Sequence, residues 1–197
     1  MSAGGVLPLP PDMPQFRQNA SRRGCAWCLR RFGWQVVGHF PNLPKAVLIA
    51  APHTSWWDGI WGLLFKIALG IDITFMGKRE LFRGPLGWLL RRLGGIPIER
   101  SSTHGIVEQI VARFDASPKL WVGVAPEGTR RPVAVWKTGF WQIAHAATVP
   151  IVPIAFDYPS KTISIGAAFV PGDDLAADLA ALRTFYVPFR GKRPRTS

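Results

Sequence analysis

The chain has 197 residues, of which 48% are hydrophobic, so it can form one domain with a substantial core and does not fit a disordered protein. Only two cysteines are present, which excludes a disulfide-stabilised scaffold. The formal net charge of +12, combined with nine tryptophans and twelve phenylalanines, is typical of a protein that meets an anionic membrane surface.

The two ends of the chain differ in composition from the middle. Residues 1–15 are rich in glycine and proline and lack the basic start and apolar run of a secretory signal, so we expect a flexible tail. Residues 188–197 are predicted to be a solvated basic tail. Between them we expect one domain over residues 16–187, with no apolar run long enough to span a bilayer.

Hydrophobic periodicity predicts alternating helices and strands from residue 16 onwards. The predicted helices cover residues 16–33, 56–69, 84–93, 103–115, 137–147 and the segment from Asp173. The predicted strands cover residues 34–40, 46–52, 71–77, 95–100, 120–126, 151–158 and 162–169. This order predicts a single α/β domain with a mixed, largely parallel sheet flanked by helices.

Arginines lie beside tryptophan and leucine in the predicted helices 16–33 and 84–93. This arrangement is typical of interfacial helices and favours a membrane surface over nucleic acid, the other polyanion that such a charge would suit. We therefore expect a cytoplasmic protein attached peripherally to the inner face of the cell membrane, with no nucleic-acid partner.

His53 and Asp58 lie where the strand 46–52 gives way to the next helix. Two positions five residues apart are about 140° apart around a helix, so the side chains meet only if His53 is in the loop and Asp58 in the first helical turn. A histidine oriented by a carboxylate can act as a general base. Two simpler readings remain open: a loop histidine without chemistry, and Asp58 as the partner of Ser55 in a capping box.

A polar turn, Glu127 to Arg130, follows the strand 120–126. Gly128 permits a backbone conformation that other residues resist, and the planar guanidinium of Arg130 suits a phosphate. Glu127 can support the loop or contact a substrate hydroxyl. Lys78 and Arg100, each at a strand end, can add positive charge to the same pocket, although all of these residues also fit an ordinary solvated turn.

Three tryptophans, Trp56, Trp57 and Trp61, follow the histidine. Their helical spacing fits packing in the core, and it fits equally well a lining for an acyl chain.

In these motifs the chain resembles the phospholipid/glycerol acyltransferase family, which includes the lysophosphatidic acid acyltransferases. Four blocks match in order over about residues 33–170, namely His53–Asp58, Gly77–Arg100, Glu127–Arg130 and Val149–Pro153. Pro52 stands where the better-known members usually have asparagine, and the chain is more similar to a compact bacterial subgroup.

The resemblance implies a glycerol-phosphate acyltransferase-like fold and transfer of a fatty acyl group from acyl-CoA or acyl-carrier protein to a hydroxyl of a glycerol phosphate or lysophospholipid. It implies that His53, oriented by Asp58, deprotonates the acceptor, which attacks the thioester directly without a metal or prosthetic group. The implied substrate-binding residues are Glu127, Gly128, Thr129, Arg130, Lys78 and Arg100. Amide groups near Gly128 or Ser55 are candidates for holding the thioester oxyanion. Two alternatives remain: the same chemistry on another acceptor, such as an amino-acid lipid or a sugar lipid, and a basic membrane-binding module without catalysis.

Overall fold

The computed structural model of the chain describes residues 9–16, 20–98, 103–130, 133 and 135–193. The strands in this part of the chain are β1 (Gln35–Val37), β2 (Lys45–Ala51), β3 (Ile73–Lys78), β4 (Gly95–Ile98), β5 (Leu120–Val124), β6 (Ile151–Asp157) and β7 (Thr162–Ile165). The α-helices are α1 (Ala20–Arg31), α2 (Trp56–Leu69), α3 (Gly84–Arg92), α4 (Thr103–Ala116), α5 (Gly139–Ala146) and α6 (Leu175–Tyr186). A 3-10 helix over Arg79–Phe82, which the periodicity does not predict, precedes α3.

The strands form one seven-stranded sheet in the order β1-β7-β6-β2-β5-β3-β4. The five strands from β6 to β4 are mutually parallel, and β7 pairs with β6 in the antiparallel direction. The prediction of a mixed, largely parallel sheet is therefore confirmed. Strand β2 lies between β6 and β5. The residues that follow β2 are therefore flanked by the residues that follow these two parallel strands.

Two hydrophobic cores cover the two faces of the sheet. Along β2, Ala46 and Leu48 point into the core that includes α1 and α2, whereas Val47 and Ile49 point into the core that includes α4, α5 and α6. A strand buried on both faces needs apolar residues at every position, which explains the unbroken apolar run in its sequence. None of the described helices is both long and apolar enough to cross a bilayer.

The N-terminal segment shows that the expected flexible tail is wrong for residues 9–15. Met13 is only 1% exposed, and the Asp72 amide donates a hydrogen bond to the Pro14 carbonyl at 2.9 Å. Gln15 forms an antiparallel bridge with Ile71 ahead of β3. Apolar residues among the prolines explain the difference, because they give this extended segment something to bury against the domain.

Candidate active site

The predicted site residues follow the carboxyl ends of neighbouring parallel strands. His53 comes after β2, Glu127 after β5, and Lys78 ends β3, which pairs with β5. In sheets of this kind ligands bind beyond the carboxyl ends of the strands. The topology therefore brings the motifs His53–Asp58 and Glu127–Arg130 together at the carboxyl ends of the strands.

The corner between β2 and α2 has the geometry predicted from the spacing. The chain leaves β2 through a cis Ala51–Pro52 bond, and α2 begins with Ser55 as N-cap and a complete capping box formed by Ser55 and Asp58. The Asp58 side chain is fully buried, and its Oδ2 accepts hydrogen bonds from the amides of Thr54 and Ser55, each at 2.7 Å. Local backbone bonds thus fix the carboxylate in the first turn of the helix.

His53 lies beside this carboxylate. Its Nδ1 is 3.5 Å from Asp58 Oδ2, and about a quarter of its side chain is exposed, 27% by area. Burial lowers the pKa of His53 below its usual 6.5, the Asp58 charge opposes this, and the Arg130 charge lowers it further. The imidazole is therefore neutral near pH 7. With a proton on the Nδ1 that faces Asp58, its Nε2 is a proton acceptor.

Tyr158, which sequence reasoning missed, completes the support of Asp58. It follows β6, the other neighbour of β2, and its hydroxyl donates a hydrogen bond to Asp58 Oδ1. Burial and the Asp58 carboxylate both raise the pKa of Tyr158, so the hydroxyl stays protonated. A polar aromatic at the end of a buried strand was the only sequence signal, and it does not identify the partner.

Glu127 acts on the histidine through the backbone. Its carboxylate Oε2 accepts a hydrogen bond from the His53 amide at 2.9 Å, and the residue is only 4% exposed. This position supports the first of the two roles expected for Glu127, which is to hold the loop.

Gly128 has φ of +61°, in the left-handed region. A Cβ atom there would lie 2.9 Å from Cδ of Lys137, whose side chain crosses the turn. Sequence reasoning did not select Lys137. The half-buried Thr129 follows in the same turn, between Gly128 and Arg130.

Arg130 and the tryptophans of α2 form the mouth of the site. The Arg130 guanidinium carbon lies 3.3 Å from the ring centre of Trp56, which is 62% exposed. Trp57 is also exposed and stacks on Trp61, which is buried in the core. Core packing is thus correct for Trp61 and wrong for Trp56 and Trp57, because α2 places its first turn beyond the sheet.

The remaining predicted cations lie farther out or outside the described residues. Lys78 is exposed at the end of β3, with β5 between its strand and β2. At a strand spacing of about 4.8 Å, its backbone is about 10 Å from that of β2. Arg100 lies outside the residues that the structure describes.

The amides expected to hold an oxyanion are mostly engaged within the protein. The Gly128 amide donates to the Ala125 carbonyl at 3.0 Å, and the Trp57 amide donates to Ser55 Oγ at 3.2 Å. The Ser55 amide is bound to Asp58. The first amides of a helix have no acceptor within the helix. The amide of Trp56, the first residue of α2, is therefore the better candidate for binding the thioester oxyanion.

A sequence model of a family described as Acyltransferase matches residues 35–157. This range includes the motifs His53–Asp58 and Glu127–Arg130. The chain belongs to this acyltransferase family. The matched segment begins with β1 and ends with β6, so it includes six of the seven described strands.

Individual relatives agree with this assignment. The acyltransferase domain is 32% identical to a 1-acyl-sn-glycerol-3-phosphate acyltransferase of Pseudomonas aeruginosa over 138 residues, which cover 66% of this chain and 52% of that protein. It is 33% identical to the enzyme of the same name from Escherichia coli over 97 residues, or 46% of this chain and 39% of that protein. The chain thus spans about half or less of the length of these relatives.

A solved structure shares the fold. The crystal structure of the 1-acyl-sn-glycerophosphate (LPA) acyltransferase PlsC from Thermotoga maritima superposes with a TM-score of 0.62, covering 88% of this chain and 80% of that one at 16% identity. The expected acyltransferase fold is confirmed.

Proposed function

We propose that the protein is an O-acyltransferase that moves a fatty acyl group from a thioester donor to the free hydroxyl of a 1-acylglycerol 3-phosphate. The observation that carries this proposal is the geometry of His53, whose Nδ1 lies 3.5 Å from the fully buried carboxylate of Asp58. The names of the relatives support the acceptor class.

In this mechanism the acceptor hydroxyl gives its proton to His53 Nε2 while its oxygen attacks the thioester carbonyl. Asp58 stabilises the resulting imidazolium across the 3.5 Å separation. The tetrahedral intermediate then expels the thiolate, which takes the proton back from the imidazolium. No acyl-enzyme forms, and the chemistry calls for no metal or prosthetic group.

We propose that Arg130 binds the acceptor phosphate. It is half-buried, its guanidinium lies on the face of Trp56, and its charge is close enough to His53 to lower the pKa of the imidazole. A guanidinium held flat on a ring can donate hydrogen bonds to two phosphate oxygens. The donor is acyl-CoA or acyl-carrier protein, serving as a co-substrate.

A surface on α3 suits attachment to an anionic membrane, where the acceptor is found. Leu86, Trp88 and Leu89 are 53%, 65% and 45% exposed, and Arg91 and Arg92 occupy the last turn of the helix. Exposed apolar side chains bordered by arginines favour insertion among anionic headgroups. We propose peripheral attachment to the inner face of the cell membrane through this helix.

The decisive experiment measures release of free thiol from a long-chain acyl-CoA by the parent and by His53→Ala, with and without lysophosphatidic acid. We expect release that depends on the acceptor and falls at least about a hundredfold in the variant, since general-base catalysis contributes about that much or more. Equal, acceptor-dependent rates in the two proteins would remove His53 from the mechanism. Absence of thiol release from the parent with every acceptor would favour the non-catalytic membrane module. Release with a sugar lipid or an amino-acid lipid alone would move the proposal to that acceptor.

A further inference from the structure

The segment 188–193, termed here the C-terminal strap, lies across the catalytic corner. The Tyr158 amide donates to the Arg190 carbonyl at 3.0 Å, and the Arg190 amide donates to Asp157 Oδ1 at 2.8 Å. Farther along, the Arg193 amide donates to Thr54 Oγ1 at 3.3 Å. The strap is thus tied by its backbone both to the end of β6 and to the residue after His53, while the side chains of Arg190, Lys192 and Arg193 are exposed.

Gly191 sets how closely the strap approaches the site. A Cβ atom at this position would lie 2.6 Å from both Oγ1 and Cγ2 of Thr54, a side chain that is 5% exposed and adjoins His53 in sequence. A buried threonine cannot move aside, so a larger residue at position 191 would lift the strap. Glycine therefore allows the strap to pack directly on the catalytic loop.

The strap brings Lys192 to the mouth of the site. Its Nζ lies 4.6 Å from the ring centre of Trp57, and the neighbouring Trp56 carries Arg130 in the same way. Among the residues that the structure describes, no carboxylate forms an ion pair with either cation. Both tryptophans belong to the first turn of α2, whose helix dipole adds further positive potential.

We propose that Lys192 binds, together with Arg130, a phosphate group of a substrate, so that the C-terminal strap is part of the substrate site. A phosphate monoester carries close to two negative charges at neutral pH, which two cations held on the first turn of α2 complement. The guanidinium supplies a planar fork and the ammonium a compact point charge. This inference rests on the proposed acyl transfer, and the phosphate belongs either to the acceptor or to the CoA of the donor.

The test compares Lys192→Gln and Lys192→Arg with Lys119→Gln. Lys119 is also an exposed lysine, and its Nζ donates to the Pro11 carbonyl. It precedes the amino end of β5, whereas the candidate site lies beyond the carboxyl ends of the strands. Both glutamine variants lower the net charge equally, so a general loss of attraction to anionic substrate would appear in both.

We expect Lys192→Gln to raise KM for lysophosphatidic acid about tenfold, because a charge-assisted hydrogen bond to phosphate is lost. We expect kcat to change less than twofold and Lys192→Arg to restore most of the affinity. KM for monoacylglycerol, which has no phosphate, stays at the parent value. If KM rises instead for acyl-CoA but not for an acyl thioester of N-acetylcysteamine, the bound phosphate is that of the donor.

Equal kinetic constants in Lys192→Gln and Lys119→Gln would overturn the inference. Should the parent show no acyl transfer at all, the proposed function fails separately. Equilibrium binding of glycerol 3-phosphate and of CoA, measured calorimetrically, then still tests Lys192. A tenfold weaker binding of either ligand to Lys192→Gln supports the site, and unchanged binding of both refutes it.

Discussion

Replacing Tyr158 by phenylalanine removes one of the three hydrogen bonds described for the Asp58 carboxylate. The other two come from the Thr54 and Ser55 amides and both reach Oδ2, whereas the Tyr158 hydroxyl binds Oδ1. The phenylalanine ring keeps the edge-to-face contact that Tyr158 makes with Trp34. The substitution therefore isolates the loss of a single donor to a buried charge.

A hydrogen bond to a charged group contributes about 1.5–3 kcal/mol. The Asp58 side chain is fully buried, but Tyr158 is half-buried, so water can replace part of the lost bond. We therefore expect the free energy of unfolding to fall by about 2 kcal/mol. If the transition state loses the same stabilisation of about 2 kcal/mol, kcat falls about 30-fold, and this is the largest effect on kcat that we expect.

The assay is urea denaturation of the parent, Tyr158→Phe and Tyr186→Phe, followed by steady-state kinetics of Tyr158→Phe. Tyr186 is the comparison for stability, because its hydroxyl donates at 2.9 Å to a neutral acceptor, the Ile49 carbonyl, although Tyr186 is buried and Tyr158 only half-buried. We expect this control to lose about 1 kcal/mol.

Two results would refute this reasoning. If Tyr158→Phe loses no more free energy of unfolding than Tyr186→Phe, the Asp58 charge does not raise the strength of the Tyr158 bond above that of a buried neutral bond. If Tyr158→Phe keeps both the stability and the kcat of the parent, the hydroxyl does not position the carboxylate.

Three other variants test the site and the membrane surface. Because burial and Arg130 lower the pKa of His53, the acid limb of kcat/KM lies below pH 6.5, and Arg130→Gln moves it to higher pH by removing a neighbouring cation. Measuring the profile with monoacylglycerol keeps phosphate binding out of the comparison, and an unmoved limb would contradict the coupling. Glu127→Gln weakens the hydrogen bond to the His53 amide, so we expect the free energy of unfolding to fall by about 1 kcal/mol and kcat to fall about fivefold. Denaturation and steady-state kinetics measure the two effects. If the variant keeps the stability and the kcat of the parent, the charge of Glu127 is not needed. Serine at both Trp88 and Leu89 should weaken co-sedimentation with phosphatidylglycerol vesicles more than tenfold at constant salt, because each side chain loses more than 1 kcal/mol of apolar burial. Parent-like binding by this double variant would place the membrane contact elsewhere.

Local sequence was sufficient for much of the fold. The run AVLIAA predicts a strand buried on both faces because a central parallel strand has no solvent face, and β2 is such a strand. The capping box of Ser55 and Asp58 also follows from spacing alone, since its bonds connect residues three apart. These features depend on neighbours in the chain, so hydrophobic pattern and capping chemistry are enough to predict them.

The surroundings of His53 depended on the tertiary structure. Tyr158 is 100 residues from Asp58, and Arg193 is 139 residues from Thr54. Periodicity identifies each strand but carries no information about strand order, and only the order β6-β2-β5 brings Tyr158 and Glu127 to the two sides of the β2 corner. The sequence by itself determined the α-helices and strands, but not the 3-10 helix over Arg79–Phe82, and it determined the position of His53 in the loop before Asp58. The tertiary structure decided which distant hydroxyl, carboxylate and cation surround that histidine, because these contacts form only when the sheet assembles and the C-terminal strap folds back over it.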